Sequence, residues 1–324
     1  MKQRIVVLGA AGFIGFHLSK RLSELNKVDL VLVDNLIRGV EDKEFKKLIE
    51  KESVSFQELD LSREISYKDL FRPRDIVINC AALNGTQNFY QIPVEVLRHS
   101  AITSILAGEF VAKNNVSKYI YFGSAESYAG GVNLGIIKVP TPENVPLVID
   151  CPENVRWSYA ASKTIGEIAT IANQKQLGLN AVILRVHNIY GPRMGDKHVI
   201  PDLVYKFSKG NFEVQGAHES RAFMYVNDLV NVILKFIFDF DSFPDLIFNI
   251  GSSREINIRD LAIMIMNELG LTQQLIEIPS LEGSVLKRVP DTNKLRNLLE
   301  FEETDLKDGI RNYIDWFKSN IDQH

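Results

Sequence analysis

The stretch that decides the fold is Gly9-Ala10-Ala11-Gly12-Phe13-Ile14-Gly15. It directly follows an apolar, strand-like run, Ile5 to Leu8, and opens a segment in which Ile14, Leu18 and Leu22 recur at helical spacing. A helix N-terminus presents unpaired N–H groups and a partial positive charge, and glycines at such a turn let the backbone approach a ligand. The stretch therefore predicts a strand-turn-helix unit that binds a diphosphate.

An acid at the end of the next strand-like run narrows the choice of ligand. Asp34 lies 19 residues after Gly15, where a carboxylate accepts hydrogen bonds from the adenine-ribose hydroxyls and repels a 2′-phosphate. Arg38 is close enough in the sequence to pair with a 2′-phosphate, which leaves NADP as an alternative. We predict that the cofactor is NAD.

Further short apolar runs, rich in β-branched residues, alternate with helical patterns through the first two-thirds of the chain. Continuous apolar runs of this length suit parallel strands that are buried on both faces. Strand-helix-strand alternation predicts an α/β fold with a doubly wound parallel sheet of the Rossmann type. The runs are Ile5 to Leu8, Leu30 to Val33, Ile76 to Asn79, Tyr119 to Phe122 and Ala181 to Arg185.

The pattern changes in the later part of the chain. Four prolines between Gly130 and Trp157 predict an irregular excursion over the surface. We predict an NAD-binding Rossmann domain from residues 1–190 and 222–251, with Ile247 to Ile250 returning to the first sheet. Residues 191–221 and 252–324 are predicted to form a smaller, mainly helical C-terminal domain that binds the substrate.

Composition argues against several classes of protein. The 324 residues carry a net charge of −4, with 45% hydrophobic and 24% charged residues, which is typical of a globular protein and provides no basic surplus for nucleic acid. Two cysteines, Cys80 and Cys151, are too few for a disulfide framework or a cysteine-rich metal site, so no metal is predicted. The most apolar segment, Val226 to Phe240, is too short to cross a membrane, and we expect a cytoplasmic protein.

Candidate catalytic residues come from two parts of the chain. Tyr159 and Lys163 are four residues apart in a helical pattern and therefore share a helix face. Lowering a tyrosine pKa from about 10 to about 7 takes roughly 4 kcal/mol of preferential phenolate stabilisation, which a nearby ammonium and a positive nicotinamide ring would supply together. Ser124 follows a strand at the carboxyl edge of the sheet, where such folds bind ligands. Glu126 is either a second acid or base or a salt-bridge partner.

These motifs together resemble those of the extended short-chain dehydrogenase/reductases, and more closely their nucleotide-sugar epimerase/dehydratase branch. The resemblance extends over nearly the whole chain. It is carried by residues 9–15, Asp34-Asn35, Ser124 with Tyr128, Tyr159-Ala160-Ala161-Ser162-Lys163, Leu184 to Pro192, Arg221 to Asp228, Phe248 to Gly251 and Lys287 to Asp291.

The resemblance implies a chemistry and a set of ligands. The tyrosine that matches Tyr159 takes the proton from the C4 hydroxyl of the sugar while a hydride passes to NAD, and a 4-keto sugar results. The lysine that matches Lys163 holds the nicotinamide ribose and lowers the phenol pKa, and the hydroxyl that matches Ser124 shares the proton. The implied cofactor contacts are Gly9, Gly12, Phe13, Ile14, Gly15, Asp34, Asn35, Asp60, Leu61, Ala81, Ala82, Tyr159 and Lys163. The implied substrate contacts are Asn84, Thr86, Ser124, Asn188, Arg221 and Arg288.

The sequence leaves the fate of the 4-keto sugar open. Dehydratases of this family carry an acid at the position of Ala125, which this chain lacks, whereas Glu126 is kept as in decarboxylases. We predict a nucleotide-sugar 4-epimerase. The alternatives are a 4,6-dehydratase, a uronic-acid decarboxylase or a 4-dehydrogenase, and, more distantly, a non-catalytic NAD-binding protein.

Other features qualify this interpretation. Ser100 stands where relatives carry an asparagine that touches the cofactor, and we interpret His187 and His198 as structural residues rather than bases. The resemblance also implies a homodimer, in which helices near Val94 to Lys113 and Ser158 to Gln176 form a four-helix bundle with a partner chain. The apolar positions available for it are Ile105, Phe110, Ile168 and Ile171, which are equally able to face the sheet.

Overall fold

The structure is a computed structural model that describes residues 2–239, 241, 243–280 and 284–320. Residues 281–283 and 321–324 of the predicted second domain, Met1 of the predicted first domain, and Phe240 therefore lie outside the described residues. The strands are β1 (Gln3–Leu8), β2 (Val28–Asp34), β3 (Val54–Glu58), β4 (Ile76–Asn79), β5 (Lys118–Ser124), β6 (Ala181–Val186), β7 (Asn188–Tyr190), β8 (Glu213–Gln215), β9 (Ser220–Tyr225), β10 (Ile247–Ile250), β11 (Glu255–Asn257), β12 (Ile276–Ile278) and β13 (Lys287–Arg288).

Helices follow most of the strands. They are α1 (Phe13–Ser23), α2 (Lys43–Ile49), the 3-10 helix Glu64–Tyr67, α3 (Thr86–Gln91), α4 (Pro93–Lys113), α5 (Glu126–Asn133), α6 (Trp157–Leu177), α7 (Val199–Ser208), α8 (Val226–Phe238), α9 (Ile258–Leu269), α10 (Asn293–Leu298) and α11 (Leu306–Ser319). Within the described ranges, no helix is both long enough and apolar enough to cross a membrane.

Seven parallel strands form the central sheet in the order β10-β6-β5-β4-β1-β2-β3. The strand order reverses between β1 and β4, and a crevice opens at such a switch point. All five predicted strand runs lie in this sheet, and β10 pairs with β6, as predicted. The predicted doubly wound α/β fold is confirmed.

Strand β3 was missing from the sequence interpretation. It is an edge strand, and of its five residues only Val54 is fully buried. A strand that is covered on one side lacks the continuous apolar run that marked the buried strands.

The later part of the chain is less purely helical than predicted. Strands β7, β9, β11 and β13 form a small second sheet, and β8 pairs with β12. Helices α7, α9 and α11 pack beside these strands around one apolar cluster that includes Leu203, Leu261 and Ile314. These strands have two to six residues each, too few for a periodicity to show. The proposed domain boundaries stay a prediction.

Candidate active site

A cleft of about 830 Å³ opens at the carboxyl end of the central sheet. The glycine turn lines one side, and residues of the smaller part of the chain line the other. Of the sequence-predicted site residues, only Asp60 does not line this cleft. Those that do are Gly9, Gly12, Phe13, Ile14, Gly15, Asp34, Asn35, Leu61, Ala81, Ala82, Asn84, Thr86, Ser124, Glu126, Tyr159, Lys163, Asn188, Arg221 and Arg288.

The glycine turn needs glycine at two positions for steric reasons. Gly9 has a φ of 80°, and a Cβ built on it would lie 2.8 Å from the Ala81 backbone. A Cβ built on Gly15 would overlap the carbonyl oxygen of Gly9. Strand β1, its turn and the end of β4 therefore approach one another more closely than any side chain would allow.

Asp34 lies at the end of β2 and faces this turn. Its carboxylate is buried and accepts hydrogen bonds from the backbone N–H groups of Ala11 and Leu36, both at 2.9 Å. Burial raises the pKa of this carboxyl, although these backbone donors oppose the change. The acid is thus fixed beside the first turn of α1, in the position that a ribose-binding carboxylate requires.

Arg38 does not stay near Asp34. Its guanidinium lies 3.4 Å from Nε2 of His198, at the start of α7. The sequence alternative, in which Arg38 pairs with a 2′-phosphate beside Asp34, therefore has no support from this geometry.

Two other predicted cofactor positions are occupied by local contacts. The Asp60 carboxylate accepts hydrogen bonds from the backbone and the hydroxyl of Ser62, at 3.0 and 2.7 Å. Ser100, the departure from the family pattern, accepts the backbone N–H of Leu83 at 3.1 Å. It thereby positions the loop that follows β4, immediately after Ala81 and Ala82.

Tyr159, Ser124 and Lys163 meet at the centre of the cleft. Ser124 lies close enough to the Tyr159 phenol to lower its pKa, and the Phe89 ring stacks on the Tyr159 ring with centroids 4.9 Å apart. The Lys163 ammonium donates to the Phe122 carbonyl at 2.7 Å and lies 5.9 Å from the centre of the Tyr159 ring. Phe89 was not singled out from the sequence, because one aromatic residue in a short helix carries no signal.

Burial governs the electrostatics of this group in the chain alone. Burial raises the pKa of the Tyr159 phenol above its usual value, and Glu126 adds to the increase, while Arg38 and Ser124 act against it. Burial also lowers the pKa of Lys163 to about 8. Desolvation therefore outweighs the cations of the chain, and the predicted lowering of the phenol pKa, which depends on the nicotinamide ring together with Lys163, stays a prediction.

Glu126 is held between two arginines. Its carboxylate oxygens lie 3.2 Å from Nη1 of Arg156 and 2.7 Å from Nη1 of Arg288. Burial by itself would raise the pKa of the Glu126 carboxyl, but Arg156, Arg288 and Arg221 together hold the pKa below its usual value. The structure thus describes Glu126 as an ionised salt-bridge partner, and its role as an acid or base stays a prediction.

Sequence reasoning missed Arg156. This residue directly precedes α6, its guanidinium lies 4.8 Å from the centre of the Trp157 ring, and it lines the cleft. Its place immediately before the helix that carries Tyr159 and Lys163 was the signal available in the sequence.

The remaining predicted substrate residues come from the small second sheet and from α3. Arg221 on β9 pairs with Glu219 at 2.6 Å, and burial lowers the pKa of this arginine to about 10. Asn188 on β7 donates to the carbonyl of Ala222 at 3.3 Å. Asn84 accepts the backbone N–H of Gly85 at 2.6 Å, just before Thr86 begins α3.

Residues 192 and 193 are bonded to the side of the cleft that carries the glycine turn and Asp34. Nε of Arg193 lies 2.7 Å from the Asp42 carboxylate, and its Nη2 donates to the Val40 carbonyl at 2.9 Å. Nε2 of His17 on α1 donates to the carbonyl of Pro192 at 2.8 Å. The loop between β2 and α2 is thus attached to residues 192–193, which we call the strap.

Comparison with known proteins identifies the family. The model of the NAD dependent epimerase/dehydratase family matches residues 5–251, and the chain belongs to that family. It is 29% identical over 321 residues to a Methanocaldococcus jannaschii protein named "Putative UDP-glucose 4-epimerase", covering 98% of this chain and 99% of the relative. It is 26% identical over 332 residues to the UDP-N-acetyl-alpha-D-glucosaminuronate decarboxylase of Bacillus cytotoxicus, with 98% of each chain covered.

The fold is also found among solved structures. The UDP-glucose 4-epimerase of Thermotoga maritima, crystallised with UDP-glucose, superposes with a TM-score of 0.84 at 25% identity, over 98% of this chain and all of that one. The chain is therefore an NAD-dependent enzyme of the nucleotide-sugar epimerase/dehydratase type, as the sequence predicted. The close-packed glycine turn and the fixed carboxylate of Asp34 fit this cofactor.

Proposed function

We propose that this member of the NAD dependent epimerase/dehydratase family is a nucleotide-sugar 4-epimerase that oxidises and then re-reduces C4 of the sugar. The observation that carries the proposal is the convergence of the Tyr159 hydroxyl, the Ser124 hydroxyl and the Lys163 ammonium in the cleft that also holds the glycine turn. A phenol and a cation beside a dinucleotide site constitute the base that alcohol oxidation requires.

The residues of the chain divide this work. Tyr159 as phenolate accepts the proton of the C4 hydroxyl, and the nearby Ser124 hydroxyl is placed to share that proton. The Lys163 ammonium, fixed by Phe122, is placed to hold a ribose hydroxyl of the cofactor. NAD, when bound beside Lys163 and Tyr159, would supply the hydride acceptor and a positive ring that favours the phenolate.

Rotation of the keto sugar requires that it be held by its diphosphate rather than by its ring. Arg221 and Arg288 are suited to this because a guanidinium binds phosphate oxygens in a bidentate manner. Asn188 on the neighbouring strand β7 adds an amide donor. Asn84, in the loop after β4, and Thr86, at the start of α3, line the cleft and are placed to contact the sugar.

The charge state of Glu126 argues against dehydration. Elimination of water from the sugar needs a protonated group to donate to the departing hydroxide. Glu126 is held ionised by Arg156 and Arg288, and position 125 is an alanine. Positions 125 and 126 therefore provide no protonated carboxyl for that step.

A second candidate, uronic-acid decarboxylation, is favoured by the same cluster. Among the residues that the structure describes, none bonds the buried Nε of Arg288, so the cluster has a donor for a carboxylate on the substrate. The similarity to the Bacillus cytotoxicus decarboxylase also supports this candidate.

One experiment separates these functions. The purified protein is incubated with UDP-, GDP-, CDP- and dTDP-hexoses and with the corresponding uronic acids, and products are analysed by mass spectrometry and NMR. An unchanged mass with inversion at C4 supports the epimerase. Loss of CO₂ supports the decarboxylase, and loss of water or of two hydrogens contradicts both.

We also propose that the active form is a homodimer built on α4 and α6, which pack side by side. Ile105 and Ile168 are exposed on these helices, whereas Phe110 and Ile171 pack toward the sheet. Val94 and Leu97 extend the exposed apolar surface of α4. Light scattering is expected to give twice the chain mass at micromolar concentration, and a monomer mass would contradict this proposal.

A further inference from the structure

Arg38 differs from the other arginines of the cleft. Within the described ranges, five arginines line the cleft. Four of them have a carboxylate within 4 Å: Arg156 and Arg288 share Glu126, Arg193 has Asp42, and Arg221 has Glu219. Arg38 has no described carboxylate within ion-pair distance, and Asp196 acts on it only through space.

The polar neighbour of Arg38 is uncharged. Burial lowers the pKa of His198 to about 3, and Arg38 adds to the decrease, so the imidazole is neutral at physiological pH. Its Nε2, 3.4 Å from the guanidinium, therefore serves as an acceptor and orients Arg38 without neutralising it. The positive charge of Arg38 is available to a ligand.

The course of the side chain shows where that charge lies. Arg38 follows β2, yet Cβ atoms built on Gly85 and Gly195 would lie 3.6 and 3.4 Å from its Nη2. Gly85 follows β4, and the sheet order is β4-β1-β2. An arginine that starts beyond β2 and reaches the loop beyond β4 must pass the carboxyl end of β1, where Gly9 begins the glycine turn.

We propose that Arg38 is a diphosphate clamp, which binds phosphoryl oxygens from the side of the cleft opposite the N-terminus of α1. The inference rests on the proposed cofactor and substrate arrangement, since the diphosphate comes either from NAD or from the nucleotide sugar. The guanidinium lies beside the backbone of Gly85 and Gly195. A guanidinium and a helix N-terminus on opposite sides of one diphosphate complement each other.

Calorimetric titration of the nucleotide-free protein tests the clamp. The titrants are NAD, UDP and adenosine, and the variants are Arg38→Gln and Arg38→Lys. A clamp on NAD predicts that Arg38→Gln weakens NAD binding about tenfold or more, because a charge-assisted hydrogen bond is lost, while adenosine, which has no phosphate, binds as in the wild type. A clamp on the substrate predicts the same loss for UDP instead.

The control is Arg259→Gln, which removes an exposed arginine on α9 that does not line the cleft. It is expected to change none of the three affinities. Arg38→Lys keeps the charge but lacks the bidentate geometry of a guanidinium, and we expect an intermediate loss of affinity. If Arg38→Gln does not fold, Arg38→Lys is measured in its place.

NAD and UDP affinities within twofold of wild type in a folded Arg38 variant would overturn the clamp. If the same wild-type preparation still inverts C4, the proposed function stands regardless.

Discussion

The cofactor side and the substrate side of the cleft are built in different ways. The cofactor side, formed by the glycine turn and Asp34, is determined by the backbone. Close contacts require glycine at positions 9 and 15, and backbone N–H groups fix the Asp34 carboxylate. On the substrate side, long charged side chains make the site, and Arg221 and Arg288 are already paired with acids of the chain. The residues proposed for the cofactor are therefore fixed by the backbone, whereas a substrate bound as proposed would share Arg288 with Glu126 and Arg221 with Glu219.

The largest expected effect lies where the two sides meet. Tyr159→Phe removes the base but keeps the ring that stacks on Phe89, so we expect turnover to fall about 10³-fold or more. NAD binding and the melting temperature should stay nearly unchanged, since only one hydroxyl is lost. Steady-state kinetics and calorimetry check both statements, and full activity would remove Tyr159 from the mechanism.

A change to the cofactor side should act through the backbone. Gly15→Ala introduces a methyl group where the Gly9 carbonyl lies, and we expect it to cost about 1–3 kcal/mol of stability and to weaken NAD binding. Gly108→Ala in α4 is the matched control, because a Cβ there would meet only the side-chain amide of Asn173. Equal NAD affinity in the two variants, measured by calorimetry, would contradict a backbone-defined cofactor site.

A change to the buried lysine should separate stability from activity. In the described part of the chain, no carboxylate pairs with Lys163, and burial lowers its pKa to about 8. The unfolded chain therefore binds more protons than the folded protein between about pH 8 and the ordinary lysine pKa near 10.4, so wild-type stability rises over that range. We expect Lys163→Met to be inactive but more stable by about 1–2 kcal/mol at pH 7.

Denaturant titrations measure the effect of Lys163→Met. The stabilisation should be largest below pH 8 and should disappear toward pH 10.5. A variant that is less stable than wild type at pH 7 would show that the ammonium is favourably solvated within the folded protein.

The smallest effect is expected on the substrate side. Glu126→Gln removes a negative charge that raises the pKa of Tyr159. Since the phenolate then persists at lower pH, the fall of kcat/KM on the acid side of its pH profile should move to lower pH, by about one unit or less. This follows if Glu126 only positions arginines. A fall in turnover of about 100-fold at every pH would instead identify Glu126 as a proton donor or acceptor.

The same contrast explains what the sequence could and could not predict. The glycine spacing, Asp34 and the Tyr159–Lys163 pair are local patterns, so their place in the fold followed from short stretches of sequence. The stacking of Phe89 and the orientation of Arg38 depend on which loops meet across the cleft, and no local pattern encodes that meeting, whereas Arg156 was marked only by its place before α6. Desolvation of Tyr159 likewise requires the folded surroundings, so its effect on the phenol pKa could not be predicted from the sequence.

The strap has a kinetic consequence. Because Arg193 is bonded to Asp42 and Val40, and Pro192 to His17, we expect a dinucleotide bound under this loop to leave only after several bonds break together. We then expect it to behave as a prosthetic group rather than as an exchanging reagent. Epimerisation and decarboxylation tolerate this, since each turnover restores the oxidised form in place. A net dehydrogenase, which must discharge its reduced nucleotide every cycle, would be slowed by the same attachment.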